Sequence, residues 1–272
     1  MIPNVLSIAG VDPSGGAGVL ADIKAFSAHR AYGCAVITAL TAQNTRAVDG
    51  VVLTDPAFVR VQMRTLFADV RIDAIKIGML GDARIIEAVA DELAGLDECP
   101  PVVLDPVMVA KSGDALLAPE AVTALRERLL PLATLITPNL PEAGMLLGEA
   151  PPESIGQMRT ALARLREAMP AGEGRWVLLK GGHLAGDDAH DLLGDGRRLI
   201  ELSERRIATR HTHGTGCSLS AAIAALLPQS ADLPEAVRLA KVWLTGAIAQ
   251  AGQLSVGGGH GPVHHFHAAW RR

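Results

Sequence analysis

The chain contains the stretch Thr209-Arg-His-Thr-His-Gly-Thr-Gly-Cys-Ser-Leu-Ser-Ala-Ala-Ile-Ala-Ala-Leu-Leu227. Its second half is rich in Ala and Leu and holds no Gly or Pro, which predicts a buried helix over 218–227. Gly214 and Gly216 precede that helix, and glycines let an anion approach the unpaired N–H groups of its first turn. Cys217 falls where the helix dipole predicts a lowered thiol pKa. The stretch therefore predicts an anion hole suited to phosphoryl transfer, although a glycine turn before a core helix explains it about equally well.

Short apolar runs alternate with helix-like segments along the whole chain, and this alternation predicts the fold class. Strands separated by helices form an α/β fold, here a doubly wound, mostly parallel sheet with helices on both faces. The sequence contains no long linker and no repeat, so a single domain over residues 1–272 is expected. Strands are predicted at 5–9, 34–40, 51–54, 74–77, 102–104, 135–137 and 176–179, with a hairpin of 190–193 and 199–202. Helices are predicted at 17–29, from 56, and at 82–93, 119–129, 154–168, 218–227 and 234–251.

Composition narrows the functional class. The chain has 272 residues, 49% of them hydrophobic and 3% aromatic, with a net charge of −4 and no long basic run. Nucleic acid is therefore not an expected partner. No signal peptide and no membrane-length apolar run is found, and the three widely spaced cysteines suggest neither a disulfide framework nor a zinc site. The sequence predicts a soluble, cytoplasmic protein without a membrane partner.

In a doubly wound sheet, ligands bind beyond the carboxyl ends of the strands, so the residues that follow each strand are the candidates. After the first strand and its glycine-rich loop 10–18, residues 16–21 fit a dinucleotide pattern loosely, but the acidic residue expected about 20 positions later is missing. Gln43 follows the second strand, and its amide could pair with a ring nitrogen and an exocyclic amine. Met79 could be a pocket wall or ordinary core filler. A turn explains Asn44 as well as a ligand does.

Oxygen-bearing and basic side chains follow three further strands. Asp105, Asn139 and Glu142 would suit Mg²⁺, which prefers oxygen ligands. Asp105 and Asn139 could instead cap the segments that follow them. Lys180, in Lys180-Gly-Gly-His183, is a candidate phosphate contact, and 111–114 adds a basic loop. Four histidines of the tail, His260, His264, His265 and His267, match no common metal motif, so a packed tail is expected.

Taken together, several stretches closely resemble the hydroxymethylpyrimidine/phosphomethylpyrimidine kinases, within the ribokinase superfamily. The resemblance runs nearly end to end, and the tail stretch Gly261-Pro-Val-His-His-Phe-His267 shares it. The ordered set is much more specific than any single motif. The other stretches are Ala9-Gly-Val-Asp-Pro-Ser-Gly-Gly-Ala-Gly18, Val36-Ile-Thr-Ala-Leu-Thr-Ala-Gln-Asn-Thr45, Lys76-Ile-Gly-Met-Leu80, Leu135-Ile-Thr-Pro-Asn-Leu-Pro-Glu-Ala143, Lys180-Gly-Gly-His183 and His213-Gly-Thr-Gly-Cys217.

The resemblance implies that ATP, with Mg²⁺, phosphorylates 4-amino-5-hydroxymethyl-2-methylpyrimidine and then its monophosphate, for thiamine biosynthesis. It places the substrate against Gln43, with Gly10, Met79 and Val107 forming the rest of its pocket. Asp22 would add a hydrogen bond to the substrate, although its position on a helix suits an exposed side chain equally well. Cys217 stands where many sugar kinases of the superfamily carry Asp, and it would accept or orient the hydroxyl proton. Gly214, Gly216 and Cys217 would hold the transferring phosphoryl group. ATP contacts would come from Asp105, Asn139, Lys180, Thr215 and Lys241, and metal contacts from Glu142, Asn139 and Asp105. The family also suggests a homodimer.

Two other functions remain open from the sequence. A pyridoxal or pyridoxine kinase of the same fold would bind a similar flat ring that bears a hydroxymethyl group. A non-catalytic vitamin-binding module is the second alternative, and the presence of both glycines, Cys217, Asn139 and Glu142 argues against it.

Overall fold

The computed structural model describes residues 1–108 and 118–270, and within these residues nine strands join in one sheet. The strands are β1 (Asn4–Val11), β2 (Tyr32–Gln43), β3 (Val48–Leu53), β4 (Ala74–Ile77), β5 (Val102–Leu104), β6 (Leu135–Ile136), β7 (Trp176–Lys180), β8 (Asp188–Gly194) and β9 (Leu199–Arg205). Their order is β3-β2-β1-β4-β5-β6-β7-β8-β9. β1, β2 and β4 to β7 are parallel. At one edge β3 pairs antiparallel with β2, and toward the other edge β8 pairs antiparallel with both β7 and β9. The predicted α/β class and mostly parallel sheet are confirmed.

Eight α-helices within the described residues cover the two faces of the sheet. They are α1 (Gly18–Ala28), α2 (Pro56–Phe67), α3 (Ala83–Ala94), α4 (Pro119–Ala124), α5 (Leu140–Leu147), α6 (Ile155–Glu167), α7 (Thr215–Leu226) and α8 (Leu233–Ala249). α4 continues into a wider π-helical turn at Leu125–Leu129. The short helix α5 was not among the predicted helices. None of the described helices combines the length and the apolar character needed to cross a bilayer.

Two hydrophobic cores form, one on each face, because successive strand residues point to opposite sides. Leu6 and Ile8 of β1 lie in the core that packs against α2 to α6, whereas Val5 lies in the core under α1, α7 and α8. Both faces of the central strands are thus buried, which explains why the strands read as continuous apolar runs.

Polar side chains cap several helices close to their predicted starts. Asp55 accepts a hydrogen bond from the backbone N–H of Ala57, and Pro56 follows as the first helical residue. Asp82 caps α3 in the same way, through the N–H of Ile85. Each cap satisfies an N–H group that has no partner within its helix, and so fixes where the helix starts.

The chain reverses its direction of travel across the sheet between β1 and β4, which are hydrogen-bonded neighbours. β2 and β3 extend the sheet to one side of β1, and β4 onward extends it to the other. Loops that leave the two neighbouring strands therefore diverge, which opens a crevice at their carboxyl ends.

The C-terminal tail packs against the α7–α8 face, as the sequence predicts. His264 and His265 are buried, and the backbone N–H of His264 donates to the carbonyl of Ala247 on α8. His265 Nε2 lies 2.9 Å from Ser218 Oγ, one residue after Cys217. The tail thus contacts the helix that carries the predicted reactive group.

Candidate active site

A cavity of about 520 Å³ opens beyond the carboxyl ends of the central strands. It is lined by nearly all the residues that the sequence nominates, although they come from distant parts of the chain. The nominated residues on its wall are Gly10, Gln43, Met79, Asp105, Val107, Asn139, Glu142, Lys180, Gly214, Thr215, Gly216 and Cys217. The structure brings these residues together. Their individual roles stay predictions.

A second cavity, of about 400 Å³, adjoins the first and shares Asn139, Lys180, Thr215 and Gly216 with it. Lys241 lines this second cavity, and its Nζ lies 2.5 Å from Asp191 Oδ2. Asp191 of β8 thus holds the ammonium group of Lys241 at the wall of the second cavity. Two joined cavities with a glycine loop between them suit a reaction between two bound molecules.

Gly214 shapes the loop between the cavities, because a side chain at this position would strain the backbone and collide with the loop after β1. Gly214 has φ of +73°, and a Cβ at this position would lie 1.7 Å from the carbonyl oxygen of Gly16. Gly16 belongs to the loop after β1, so the two glycine loops are in close contact. A Cβ on Gly216 would lie 3.4 Å from Lys180 Nζ and 3.7 Å from Asp105 Oδ2, which places this N-terminal turn of α7 beside a cation. Backbone N–H groups and a lysine together form an anion site.

The buried Asp105 forms an ion pair with the half-buried Lys180, with 3.0 Å between Oδ1 and Nζ. Thr137 Oγ1 donates to the same oxygen at 3.1 Å, and Ser220 of α7 donates to Oδ2 at 3.3 Å. Burial raises the pKa of Asp105, but Lys180 and Lys76 outweigh it, and the pKa lies below its ordinary value. Burial lowers the pKa of Lys180, but Asp105 and Glu142 outweigh it and the pKa lies above its ordinary value, so the lysine stays charged.

Asn139 and Glu142 form a capping box at the start of α5. Asn139 Oδ1 accepts from the N–H of Glu142, and Glu142 Oε2 accepts from the N–H of Asn139. The capping alternative is therefore confirmed for Asn139, and the side-chain oxygen that a metal would need is already engaged. The amide nitrogen of Asn139 takes no part in the capping box, and as a hydrogen-bond donor it suits a phosphate oxygen. Asp105 does not cap a described helix, since its carboxylate binds Lys180, Thr137 and Ser220.

Glu142 keeps one carboxylate oxygen outside the capping box, and that oxygen suits a metal contact. Burial raises its pKa to about 7, and the neighbouring Asp105 raises it as well, although Lys180 opposes the shift. Two carboxylates that repel each other in a buried site are stabilised by a cation between them. Within the described residues no cluster of three or more His, Cys, Asp or Glu side chains could hold a metal ion. A bound Mg²⁺ would therefore rely on water and phosphate oxygens for most of its ligands.

Cys217 lies half-buried on the wall of the first cavity, on the first turn of α7. The sequence predicts a lowered thiol pKa there, and this prediction is wrong. Burial raises the pKa of the Cys217 thiol above its ordinary value, and Asp22 and Asp105 raise it too. The charge of Lys76 and a hydrogen bond with the backbone of Gly18 oppose the shift without reversing it. The resting thiol is therefore neutral.

Asp22 lies beneath the cavity and does not line it. Its carboxylate accepts hydrogen bonds from Lys76 Nζ at 2.8 and 3.0 Å and from Ser7 Oγ at 2.6 Å, and all three residues are fully buried. Both the exposed position and a direct substrate contact that the sequence allowed for Asp22 are therefore corrected. Burial lowers the pKa of Lys76, but the carboxylates of Asp22 and Asp105 outweigh it, and the pKa lies above its ordinary value. Lys76 is the residue of this pair that reaches the cavity wall.

Among the cavity residues that the sequence reasoning did not nominate, Asp12 and His213 form a pair. Asp12 and His213 both line the space and lie in contact, with 2.7 Å between Oδ2 and Nε2. Burial raises the pKa of Asp12, but the hydrogen bonds from His213 and Ser14 lower it more, so it lies below its ordinary value. Both residues stand inside the quoted motifs, and only the folded chain shows that they pair.

The far end of the first cavity holds Gln43 with Gly10 and Met79. A Cβ at Gly10 would lie 3.4 Å from Met79 Cε, so a larger residue there would press on the methionine. Thr41 Oγ1 lies 3.2 Å from Gln43 Oε1 and helps to hold the amide. Asn44 closes a turn through the N–H groups of Arg46 and Ala47, so the turn interpretation is confirmed for Asn44. The predicted basic loop 111–114 lies outside the described residues.

Comparison with known proteins agrees with this arrangement. A sequence profile of the phosphomethylpyrimidine kinase family matches residues 12–264. A hydroxymethylpyrimidine/phosphomethylpyrimidine kinase of Escherichia coli is 54% identical over 267 residues, which cover 98% of each chain.

Solved structures place the same fold among vitamin kinases. An ADP complex of Bacillus subtilis pyridoxal kinase superposes with a TM-score of 0.88 at 34% identity, covering 98% of this chain and 99% of the other. A phosphomethylpyrimidine kinase of Clostridium difficile gives 0.79 at 38% identity, covering 90% and 99%. The predicted ribokinase-like architecture is thereby confirmed. The backbone alone does not separate the two kinase classes, whereas the sequence identity favours the pyrimidine kinases.

Proposed function

The chain belongs to the phosphomethylpyrimidine kinase family, and from this we infer that it phosphorylates 4-amino-5-hydroxymethyl-2-methylpyrimidine and then the resulting monophosphate, for thiamine biosynthesis. It is a small-molecule kinase that uses ATP. The observation that carries the inference is the meeting of Gln43 and Cys217 with the Gly214–Gly216 loop in one cavity. A recognition group for the ring, a group for the hydroxyl and an anion site thus share one space.

We propose that the pyrimidine lies between Gln43, Gly10, Met79 and Val107. The glutamine amide would bind the exocyclic amine, and the apolar residues would contact the ring faces. Its hydroxymethyl group would point to Cys217. Because burial keeps the thiol neutral, Cys217 orients the hydroxyl through a hydrogen bond and does not act as its base. The hydroxyl proton passes to an oxygen of the transferring phosphoryl group as the new oxygen–phosphorus bond forms and the bond to the departing ADP breaks.

The transferring phosphoryl group is proposed to bind the N–H groups of Gly214, Gly216 and Cys217, with Lys180 beside it. Charge neutralisation and alignment dominate such reactions, and Lys180 supplies a fixed positive charge. Asp105 positions Lys180 through their ion pair. Mg²⁺, when bound, would neutralise charge on the phosphate oxygens. We place it at Glu142, with Asp105 reached through water.

We propose that the nucleotide occupies the second cavity, with Thr215, Asn139 and Lys241 on its wall. The joined cavities then place the two reactants on opposite sides of the glycine loop. One continuous sheet carries the residues of both cavities, which supports a single kinase domain. The cytoplasmic location stays a prediction.

A homodimer is also proposed, through the surface formed by β2, β3 and α2. Leu40, Val52, Phe58 and Val61 are exposed there, and no described strand pairs with the outer edge of β3. Adjacent exposed apolar side chains mark interaction surfaces. A Val52→Lys variant that elutes as a monomer while the unaltered chain elutes as a dimer would support this surface, and a dimeric variant would refute it.

Product analysis by mass spectrometry tests the proposed reaction. The purified protein is incubated with MgATP and either the hydroxymethylpyrimidine or pyridoxal. We expect the pyrimidine monophosphate first and then the diphosphate. Pyridoxal phosphate alone would reassign the chain to the pyridoxal kinases, and binding without any product would favour the non-catalytic module.

A further inference from the structure

Arg206, the residue after β9, places its guanidinium at the centre of the β7–β8 loop. Nη1 donates to the carbonyl of Gly182 at 2.7 Å, Nη2 to that of Leu184 at 2.8 Å, and Nε to that of Gly186 at 3.1 Å. Three alternate peptide groups of one loop thus point at a single side chain. Such a ring of carbonyls is not formed by any strand ladder, so the arginine shapes the loop.

The backbone of Arg206 holds the same loop. Its N–H donates to the carbonyl of Asp187 at 2.8 Å, directly beside the start of β8. At the other end of the loop, the N–H of Gly181 donates to Asp191 Oδ1 at 2.9 Å. The loop is therefore fixed at both ends by the β8–β9 hairpin and in its middle by the guanidinium.

The loop connects directly to the proposed reaction centre. Lys180 lies at its root and forms the ion pair with Asp105, and His183 lines both cavities. Gly182 and Arg206 line the second cavity as well. A change in the path of this loop would therefore move groups on the nucleotide side of the site and leave Gln43, at the far end, in place.

The positive charge of Arg206 is not cancelled by an acid. Across residues 1–108 and 118–270, no carboxylate forms an ion pair with it. Its donors are satisfied by carbonyl dipoles, so a full positive charge stays at the wall of the second cavity. A planar guanidinium can bond several carbonyls at once in a fixed geometry, whereas a lysine ammonium cannot reproduce that fork.

We propose that Arg206 is a positioning residue for ATP, which holds the 181–188 loop in its binding conformation through the three carbonyl contacts. This rests on the proposed function, in which the second cavity takes the nucleotide. The arginine touches no reacting atom. Its effect reaches ATP through the loop, and it is separate from the recognition of the pyrimidine.

The test compares Arg206→Lys, Arg206→Ala and a control, Arg198→Ala, with the unaltered kinase. Arg198 is an exposed arginine of the same hairpin that pairs with Asp195 and stacks on Trp176, outside both cavities. We expect both Arg206 variants to raise KM for ATP about tenfold, because the loss of several hydrogen bonds is only partly replaced by water. KM for the pyrimidine at saturating ATP should be unchanged, and Arg198→Ala should match the unaltered kinase.

Hydrogen exchange of the loop amides separates positioning from general stability. In the Arg206 variants, the amides of 181–188 should exchange faster without nucleotide and regain protection when ATP saturates the site, while β1 and α7 stay protected. A normal KM for ATP in Arg206→Lys would overturn the proposed role of the three carbonyl contacts, since a positive charge alone would then be sufficient for ATP binding. Faster exchange with an unchanged ATP KM would overturn the functional role. If the unaltered chain made no phosphorylated product, the proposed function itself would fail, which is a different outcome.

Discussion

His213 Nε2 lies 2.7 Å from Asp12 Oδ2, although 201 residues separate the two in the chain. The same carboxylate accepts the backbone N–H groups of Ser14 and Ala17 at 2.8 and 2.9 Å. Asp12 therefore shapes the loop after β1 and holds the residue that precedes Gly214. One side chain connects the two glycine loops of the site.

Replacing Asp12 by Ala should lower kcat/KM about 100-fold, because three hydrogen bonds that align the two loops are lost. Steady-state kinetics measure this, with Asp49→Ala, an exposed aspartate of β3, as the matched control. The double variant with His213→Ala should fall little further, since the two residues act as one pair. Fully additive losses in that cycle would show that Asp12 and His213 act independently.

Cys217→Ala should lose about 100- to 1000-fold in kcat with little change in pyrimidine affinity, because the thiol acts on the hydroxyl in the transition state. Calorimetric titration and single-turnover kinetics measure the two quantities separately. Cys34→Ala, which removes a thiol that lines neither cavity, is the control. A Cys217→Ala variant that turns over at the normal rate would exclude the thiol from the mechanism.

Gln43→Leu should raise KM for the pyrimidine about tenfold or more, because the buried exocyclic amine would lose its acceptor. KM for ATP should not change, since Gln43 does not line the second cavity. Gln253→Leu, at an exposed glutamine that lines neither cavity, is the control. Unchanged pyrimidine affinity would rule out the contact.

Gly214→Ala should abolish turnover, because the new methyl group would collide with the carbonyl of Gly16 and the backbone would be forced from its φ of +73°. Gly252→Ala is the matched control, since a Cβ there meets no atom within 4 Å. Melting temperatures show whether the chain stays folded. An active Gly214→Ala variant would mean that the loop adopts another shape during the reaction.

Acidification should destabilise the fold through His265. Burial, with Lys24 and His264, lowers its pKa from 6.5 to about 3. The unfolded chain therefore binds the proton first, and the stability that is complete above pH 6.5 is lost as the pH falls toward 3. Between pH 7 and pH 5 this one group should cost about 2 kcal/mol of unfolding free energy. His29, whose pKa burial lowers to about 4, acts in the same direction.

Urea unfolding at the two pH values measures that loss. His265→Gln, which cannot take up the proton, should show a smaller drop between pH 7 and pH 5, whereas His260→Gln in the exposed part of the tail should behave like the unaltered chain. An equal drop in all three proteins would place the acid sensitivity elsewhere.

Local signals in the sequence were sufficient to predict most of the strands and helices and most of the residues that line the site. Apolar runs located the parallel strands, and Asp55 with Pro56 located the start of α2 to the residue. Asp105, Asn139 and Lys180 were predicted as site residues because each lies at or just after the end of a strand, and the carboxyl ends of parallel strands lie at one edge of the sheet. The helix α5 was not predicted, since Pro141 and Gly144 interrupt its short pattern.

Long-range pairing and burial account for what the sequence did not predict. The contact of Asp12 with His213 and the carbonyl ring around Arg206 each join segments that no local pattern connects. For Cys217, the position at a helix start was predicted correctly, but the sign of the pKa shift was wrong. Desolvation depends on how deeply the turn is packed, and no spacing of residues shows that depth.

The tail also bears on how the enzyme is made. The N–H of His213 donates to the carbonyl of Gly261, and the two segments form a short parallel bridge at Pro262. During synthesis, the Gly214–Gly216 loop would leave the ribosome before residues 261–265, which hold it in place. We expect the sheet to fold first and the nascent chain to stay inactive until residues 261–265 have packed against it. Premature termination before these residues should therefore yield folded but inactive protein.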